Sequence, residues 1–111
     1  MTDYTISAGQ TSSSLILLSG DHAYVLSGGT AIATTVRSGG MEEVSSGGRA
    51  VNAVVVGSGA SQFVSSGAVA IGTAVRSGGV ETVLLGRTVS AIVGKGGSEV
   101  LDFGGDRKSV V

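Results

Sequence analysis

The seven residues Thr34-Thr35-Val36-Arg37-Ser38-Gly39-Gly40 return further along the chain as Thr73-Ala74-Val75-Arg76-Ser77-Gly78-Gly79, with a single change. A weaker copy, Val54-Val55-Val56-Gly57-Ser58-Gly59, stands midway between them. A short fixed period means units that cannot bury a face alone and must stack on their neighbours. Three apolar columns follow from the register. Ile6, Val25, Val44, Val64, Val83 and Leu101 recur at steps of 19, 19, 20, 19 and 18 residues. Leu17, Val36, Val55, Val75 and Val93 form a second column, and Ile32, Val51, Ile71 and Val89 a third, with Ser13 holding its place in the first unit. One insertion and one deletion move all three columns together, as they must if each period is one structural unit.

Each unit reads as two halves. One resembles Ala31-Ile32-Ala33-Thr34-Thr35-Val36 and the other Glu42-Glu43-Val44-Ser45-Ser46, each closed by glycines. The alternation Ile32, Thr34, Val36 has the period of two that marks a strand with one buried face. The glycine pairs mark turns, since glycine enters positive φ without steric cost. Helical repeats are excluded: glycine pairs inside them would cost about 1 kcal/mol per glycine. The chain is therefore expected to be all-β, a right-handed parallel β-helix of about six 19-residue coils, forming a single domain over residues 1–111.

Composition agrees. The chain has 20 Gly, no Pro, Cys or Trp, and its aromatic residues are Tyr4, Tyr24, Phe63 and Phe103. Its core must therefore be thin and filled by small, β-branched side chains at repeated positions. The net charge of −1, without a basic stripe, gives no basis for nucleic-acid binding. The start MTDYTISAGQ has neither a basic nor an apolar leader segment, and the apolar run Leu15 to Leu18 is too short to span a bilayer. The chain is accordingly expected to be a fragment of, or a module within, a longer repeat protein, without a membrane-spanning segment.

Stacking also places the charges. Arg37 and Arg76 share a column with Val56 between them, which doubles their spacing. Glu81 and Glu99 stack without a neutral spacer, an arrangement expected to lie at the surface, where salt screens it.

The residues that could carry chemistry are few. His22 is the only histidine and follows Asp21 in an expected turn. Gly94-Lys95-Gly96-Gly97 lacks the spacing of a phosphate loop, with Val89 and Gly96 where glycine and a hydroxyl residue would be needed. Gly104-Gly105-Asp106 begins like a calcium-binding repeat, but Arg107 and Lys108 follow it. Glu42 and Glu43 are neighbours on a strand, so they point to opposite faces, and both read as solvated charge. The threonines do not form the regular ladder of an ice-binding face. No catalysis, cofactor or metal is expected. What remains is serine at the coil corners: Ser27, Ser38, Ser45, Ser46, Ser58, Ser65, Ser66 and Ser77. Such hydroxyls suit local turn bonding, and they also suit repeated modification on an exposed edge.

Val44-Ser45-Ser46-Gly47-Gly48 and Thr34-Thr35-Val36-Arg37-Ser38-Gly39-Gly40 resemble the strand-loop-strand repeats of self-associating autotransporter adhesin passengers, a likeness that covers residues 4 to 105. The resemblance implies a secreted, extracellular or bacterial cell-surface β-helix that mediates adhesion and aggregation. Its partners would be other copies of itself, a host-surface or cell-surface receptor, and a dedicated glycosyltransferase. The positions matching the family's O-heptosylated serines are Ser38, Ser45, Ser46, Ser65, Ser66 and Ser77. The stretch from Gly79 to Gly105 departs from the pattern, with Leu84-Leu85-Gly86 and Asp102-Phe103-Gly104 in place of serine corners. A cytoplasmic, bactofilin-like β-helix polymerising end to end is the alternative, and its turns differ from these Ser-Gly-Gly corners. Pectin-cleaving solenoids have longer coils with clustered acids and bases. Self-association through coil ends or edges is expected, because neither Tyr4-Thr5-Ile6 nor the run Asp106 to Val111 reads as a cap.

Overall fold

Parallel strand pairing at one-coil separation organises the described residues. The computed structural model describes residues 3–84 and 86–102; for Leu101 and Asp102 the backbone alone is described. Three parallel sheets run along the stack. Sheet A pairs Asp3–Ile6, His22–Val25, Met41–Val44, Ser61–Val64, Val80–Leu84 and Ser98–Asp102. Sheet B pairs Thr11–Ser13, Thr30–Ile32, Arg49–Val51, Val69–Ile71 and Arg87–Val89. Sheet C pairs Ile16–Leu17, Thr35–Val36, Val54–Val56, Ala74–Arg76 and Ile92–Val93. The fold is a β-solenoid of about five turns of about 19 residues, with a sixth strand on sheet A.

Two of the three expected columns are the core. Val25, Val44, Val64 and Val83 are fully buried in sheet A, and Leu17, Val36, Val55 and Val75 in sheet C. Leu101 continues the first column in register with Val83. The third column is a correction. Ile32, Val51, Ile71 and Val89 lie half-buried on the outer face of sheet B, while Ala31, Ala50, Ala70 and Thr88 point inward.

The cause is a third corner. Each coil has three strands where two were expected, because the run from Ala31 to Val36 bends between Ile32 and Thr35. The bend is made by one left-handed residue per coil: Ser14, Ala33, Asn52 and Ser90 have φ of 59°, 59°, 56° and 57°, and Gly72 has 70°. These corner amides bond to the next coil, as in Ala33 N–H to Val51 O (2.8 Å) and Asn52 N–H to Ile71 O (2.7 Å). A single left-handed residue turns the chain without a glycine pair and resets the in-out alternation. Thr34 and Val36 therefore face inward, and Ile32 does not.

The other two corners are the glycine turns. In Ser45-Ser46-Gly47-Gly48 the Gly48 N–H bonds Ser45 O at 2.7 Å and Gly47 has φ of 83°, the positive value a type II turn needs at its third residue. The fourth residue is small for a different reason: a Cβ on Gly79 would come within 2.5 Å of Val55 O in the coil before. Where glycine holds this place, as at Gly29, Gly40, Gly48, Gly79 and Gly97, it lets two coils approach to strand-pairing distance.

Candidate functional site

The glycine turns place their second residue at the tip. On the corner between sheets A and B the tips are Ser27, Ser46 and Ser66; between sheets C and A they are Ser19, Ser38, Ser58 and Ser77, and all seven are exposed. The turns are tied to one another coil by coil. Gly28 N–H bonds Gly47 O at 3.0 Å and Gly47 N–H bonds Gly67 O at 3.1 Å, with Gly78 N–H to Gly96 O at 2.7 Å on the other corner. The tip serines therefore form two straight columns with the strand spacing of about 4.8 Å. Glycine in the next coil also makes their room: a Cβ on Gly47 would meet Ser27 Oγ at 2.5 Å, and one on Gly67 would meet Ser46 Oγ at 2.6 Å.

The six sequence-predicted acceptors divide accordingly. Ser38 and Ser77 are tips of one corner, and Ser46 and Ser66 are tips of the other. Ser45 and Ser65 open their turns and are half-buried, with each carbonyl accepting the turn hydrogen bond. Ser19 was not singled out in sequence, because Leu18-Ser19-Gly20-Asp21 ends in aspartate. Its turn is nevertheless equivalent, closed by Asp21 N–H to Leu18 O at 2.9 Å. The expected loss of serine tips toward the C-terminus holds at Lys95, an exposed tip in the fifth turn. Leu85, Phe103 and residues 104–111, with the calcium-like start and the incomplete last coil, lie outside the described residues.

The acids overturn the sequence reading. Glu42 and Glu81 are fully buried and face the interior, in one column with Tyr4, Ala23, Gln62 and Glu99. Strand alternation put Glu43 outside and Glu42 inside; the error was to give both to solvent. Gln62 Nε2 donates to Glu42 Oε1 at 2.7 Å, and Thr73 Oγ1 donates to Gln62 Oε1 at 3.2 Å. Burial pushes the Glu42 carboxyl up to about 7, with Gln62 and Thr34 pulling weakly the other way. Burial also pushes Glu81 up to about 8, reinforced by the Glu99 carboxyl beside it and opposed by Thr73 and Thr88. As carboxylate oxygens, both Oε atoms of Glu81, Oε2 of Glu42 and Oε2 of Glu99 have no hydrogen-bond partner, and the Thr34 and Thr88 hydroxyls beside them have no well-formed one. The pair is thus an acceptor-rich contact with Glu81 fully buried and Glu99 half-buried, where a screened surface pair was expected.

His22 starts a sheet A strand rather than sitting in a turn. Its Nδ1 is 3.7 Å from Asp3 Oδ1, and its ring stacks on Tyr24 with centroids 6.0 Å apart. No cluster of three or more His, Cys, Asp or Glu side chains able to hold a metal occurs among the described residues. No helix among them is long and apolar enough to cross a membrane.

No protein-family model matches the chain, and no curated protein matches it. Among solved structures, the chain is similar to a TibC-catalysed, hyper-glycosylated fragment of TibA, at 24% identity and a TM-score of 0.45. The likeness covers 90% of this chain and 57% of the TibA fragment.

Proposed function

We propose that this chain is a non-catalytic presentation module, a bacterial adhesin passenger repeat whose turn-tip serines are O-glycosylation acceptors and whose glycosylated surface mediates adhesion or self-association. The observation that carries this reading is the pair of straight, exposed serine columns held rigid by glycine-to-glycine hydrogen bonds. A transferase acting on such a column meets a Ser-Gly step with positive φ at the glycine in successive coils, as at Ser27-Gly28, Ser46-Gly47 and Ser66-Gly67. The resemblance of the Val44 to Gly48 repeat to self-associating autotransporter passengers points the same way. That the TibA fragment is described as hyper-glycosylated is consistent with this proposal for the corner serines.

The tip geometry narrows the sequence reading. Ser38, Ser46, Ser66 and Ser77, together with Ser19, Ser27 and Ser58, are the acceptors, and Ser45 and Ser65 are modified weakly. Co-expression with an autotransporter-directed heptosyltransferase, followed by intact-mass and site-resolved mass spectrometry, tests this. Additions concentrated on the tips are expected, and cells displaying the modified chain should aggregate more than cells displaying the bare one. A chain that stays unmodified and assembles into bare filaments would favour the cytoskeletal alternative.

A further inference from the structure

The interior column of sheet A is not used by the reading above, and its composition is unusual for a solenoid core. Glu42, Gln62, Glu81 and Glu99 follow one another coil by coil in strand register. Burying an ionised carboxylate without a counter-charge is among the costliest events in folding. Among the described residues no cation faces this column. Arg37, Arg49, Arg76, Arg87 and Lys95 are all exposed, and His22 lies on the outer side of sheet A beside Asp3. Asp21 sits at a corner and accepts from Leu18 N–H at 2.9 Å. The inward positions opposite the acids on sheets B and C are alanines, valines and the hydroxyls of Thr34, Thr73 and Thr88. The only other titratable group packed against this interior among the described residues is the phenol of Tyr4, in the first coil.

The column is also short of donors. Gln62 supplies one N–H to Glu42, and Thr73 spends its hydroxyl on Gln62. Between Glu81 and Glu99 stands no amide at all, so a proton on one carboxyl is the donor that completes the contact. Two carboxyls in direct register share a proton readily and resist losing it, because the second charge would face the first at close range.

We propose that this interior acid column is a proton-operated lock on the stack, in which Glu42 and Glu81 fasten neighbouring coils while they hold their protons and the coils around Glu81 loosen when it ionises as the solution turns alkaline. The two parts respond differently. Glu42 keeps the Gln62 amide as a donor when it ionises, so the middle coils tolerate its charge. Among the described residues Glu81 has beside it only the Glu99 carboxyl and the Thr73 and Thr88 hydroxyls, so its coils give way. The direction follows from proton counts. From about 4.5 up to the native value near 8, the folded chain holds a Glu81 proton that the unfolded chain has released. Raising the pH through that window therefore favours unfolding, and below it the lock is fully closed.

The test is urea unfolding of the full chain from about pH 5 to about pH 9, read by circular dichroism, beside amide hydrogen exchange. The unfolding equilibrium constant should rise with pH by up to about tenfold per unit for each titrating carboxyl. Amides of residues 80–100 should lose protection before those of residues 41–64. Glu81→Gln, which supplies an amide donor in place of the proton, should flatten the upper part of that slope, and Glu42→Gln the lower part. The parent chain at neutral pH should also show the infrared carbonyl band of a protonated carboxyl, weakened in either variant. That measurement on the parent keeps the proposal falsifiable even where a variant folds poorly. Stability that is flat or rising across the window, or a native chain without that band, would overturn it.

Discussion

On the four middle strands of sheet A, from His22–Val25 to Val80–Leu84, two side chains point into the solenoid, two residues apart, and the two columns they form differ in character. One column runs Val25, Val44, Val64, Val83, and the other runs Ala23, Glu42, Gln62, Glu81. Backbone, pairing and burial are the same for both. The valine column is held by dispersion and exclusion of water, which are indifferent to small errors of orientation. The polar column must match a donor to each acceptor in the next coil. It succeeds between Glu42 and Gln62 and depends on a proton between Glu81 and Glu99. Equal burial is thus not equal stability, and the polar column makes half of the same wall responsive to pH.

The largest expected effect comes from placing the wrong chemistry in the apolar column. Val64→Asp, only two residues from Gln62, buries a charge with no donor and should cost about 3–5 kcal/mol or prevent folding. Denaturant unfolding measures it, and a midpoint close to the parent's would mean that the two columns are chemically equivalent after all. Next, Gln62→Leu makes the polar column locally apolar. It strands Glu42 Oε1 and the Thr73 hydroxyl, with an expected loss of about 2–3 kcal/mol in the same assay. A neutral or stabilising result would show that the amide does not matter to its neighbours.

Glu81→Gln should do the reverse of Gln62→Leu, and only on one side of the titration. Above about pH 8 it removes a buried charge and should stabilise the chain relative to the parent. At about pH 5, where Glu81 is protonated in the native chain, the variant and parent should unfold at nearly the same denaturant concentration. The smallest effect is expected outside both columns: Ser46→Ala at an exposed turn tip should change stability by less than about 0.5 kcal/mol. The same substitution should remove one glycan in the co-expression experiment, separating the role of the tips from that of the wall.

These contrasts also show where sequence was sufficient. The 19-residue period, the columns at Val25 to Val83 and at Val36 to Val75, and the serine corners at Ser38, Ser46, Ser66 and Ser77 were all legible. Each rests on repetition in a single residue type, and a stacked parallel fold converts repetition along the chain directly into vertical alignment in space. The glycine turns were legible for a related reason, since positive φ and close coil approach both select glycine.

The structure alone decided what depends on where a column points. At the third corner, Ser14, Ala33, Asn52, Gly72 and Ser90 share a left-handed conformation but no residue type, so nothing in the sequence marks the bend. That unmarked residue resets the alternation and turns Ile32, Val51, Ile71 and Val89 outward. The same limit applied to the acids. Glutamate is charged by default and was placed in water, whereas register with Val44 and Val83 on the same strand face carries Glu42 and Glu81 into the core. Only the packed interior, by excluding water and withholding cations, makes a proton the partner those carboxyls need.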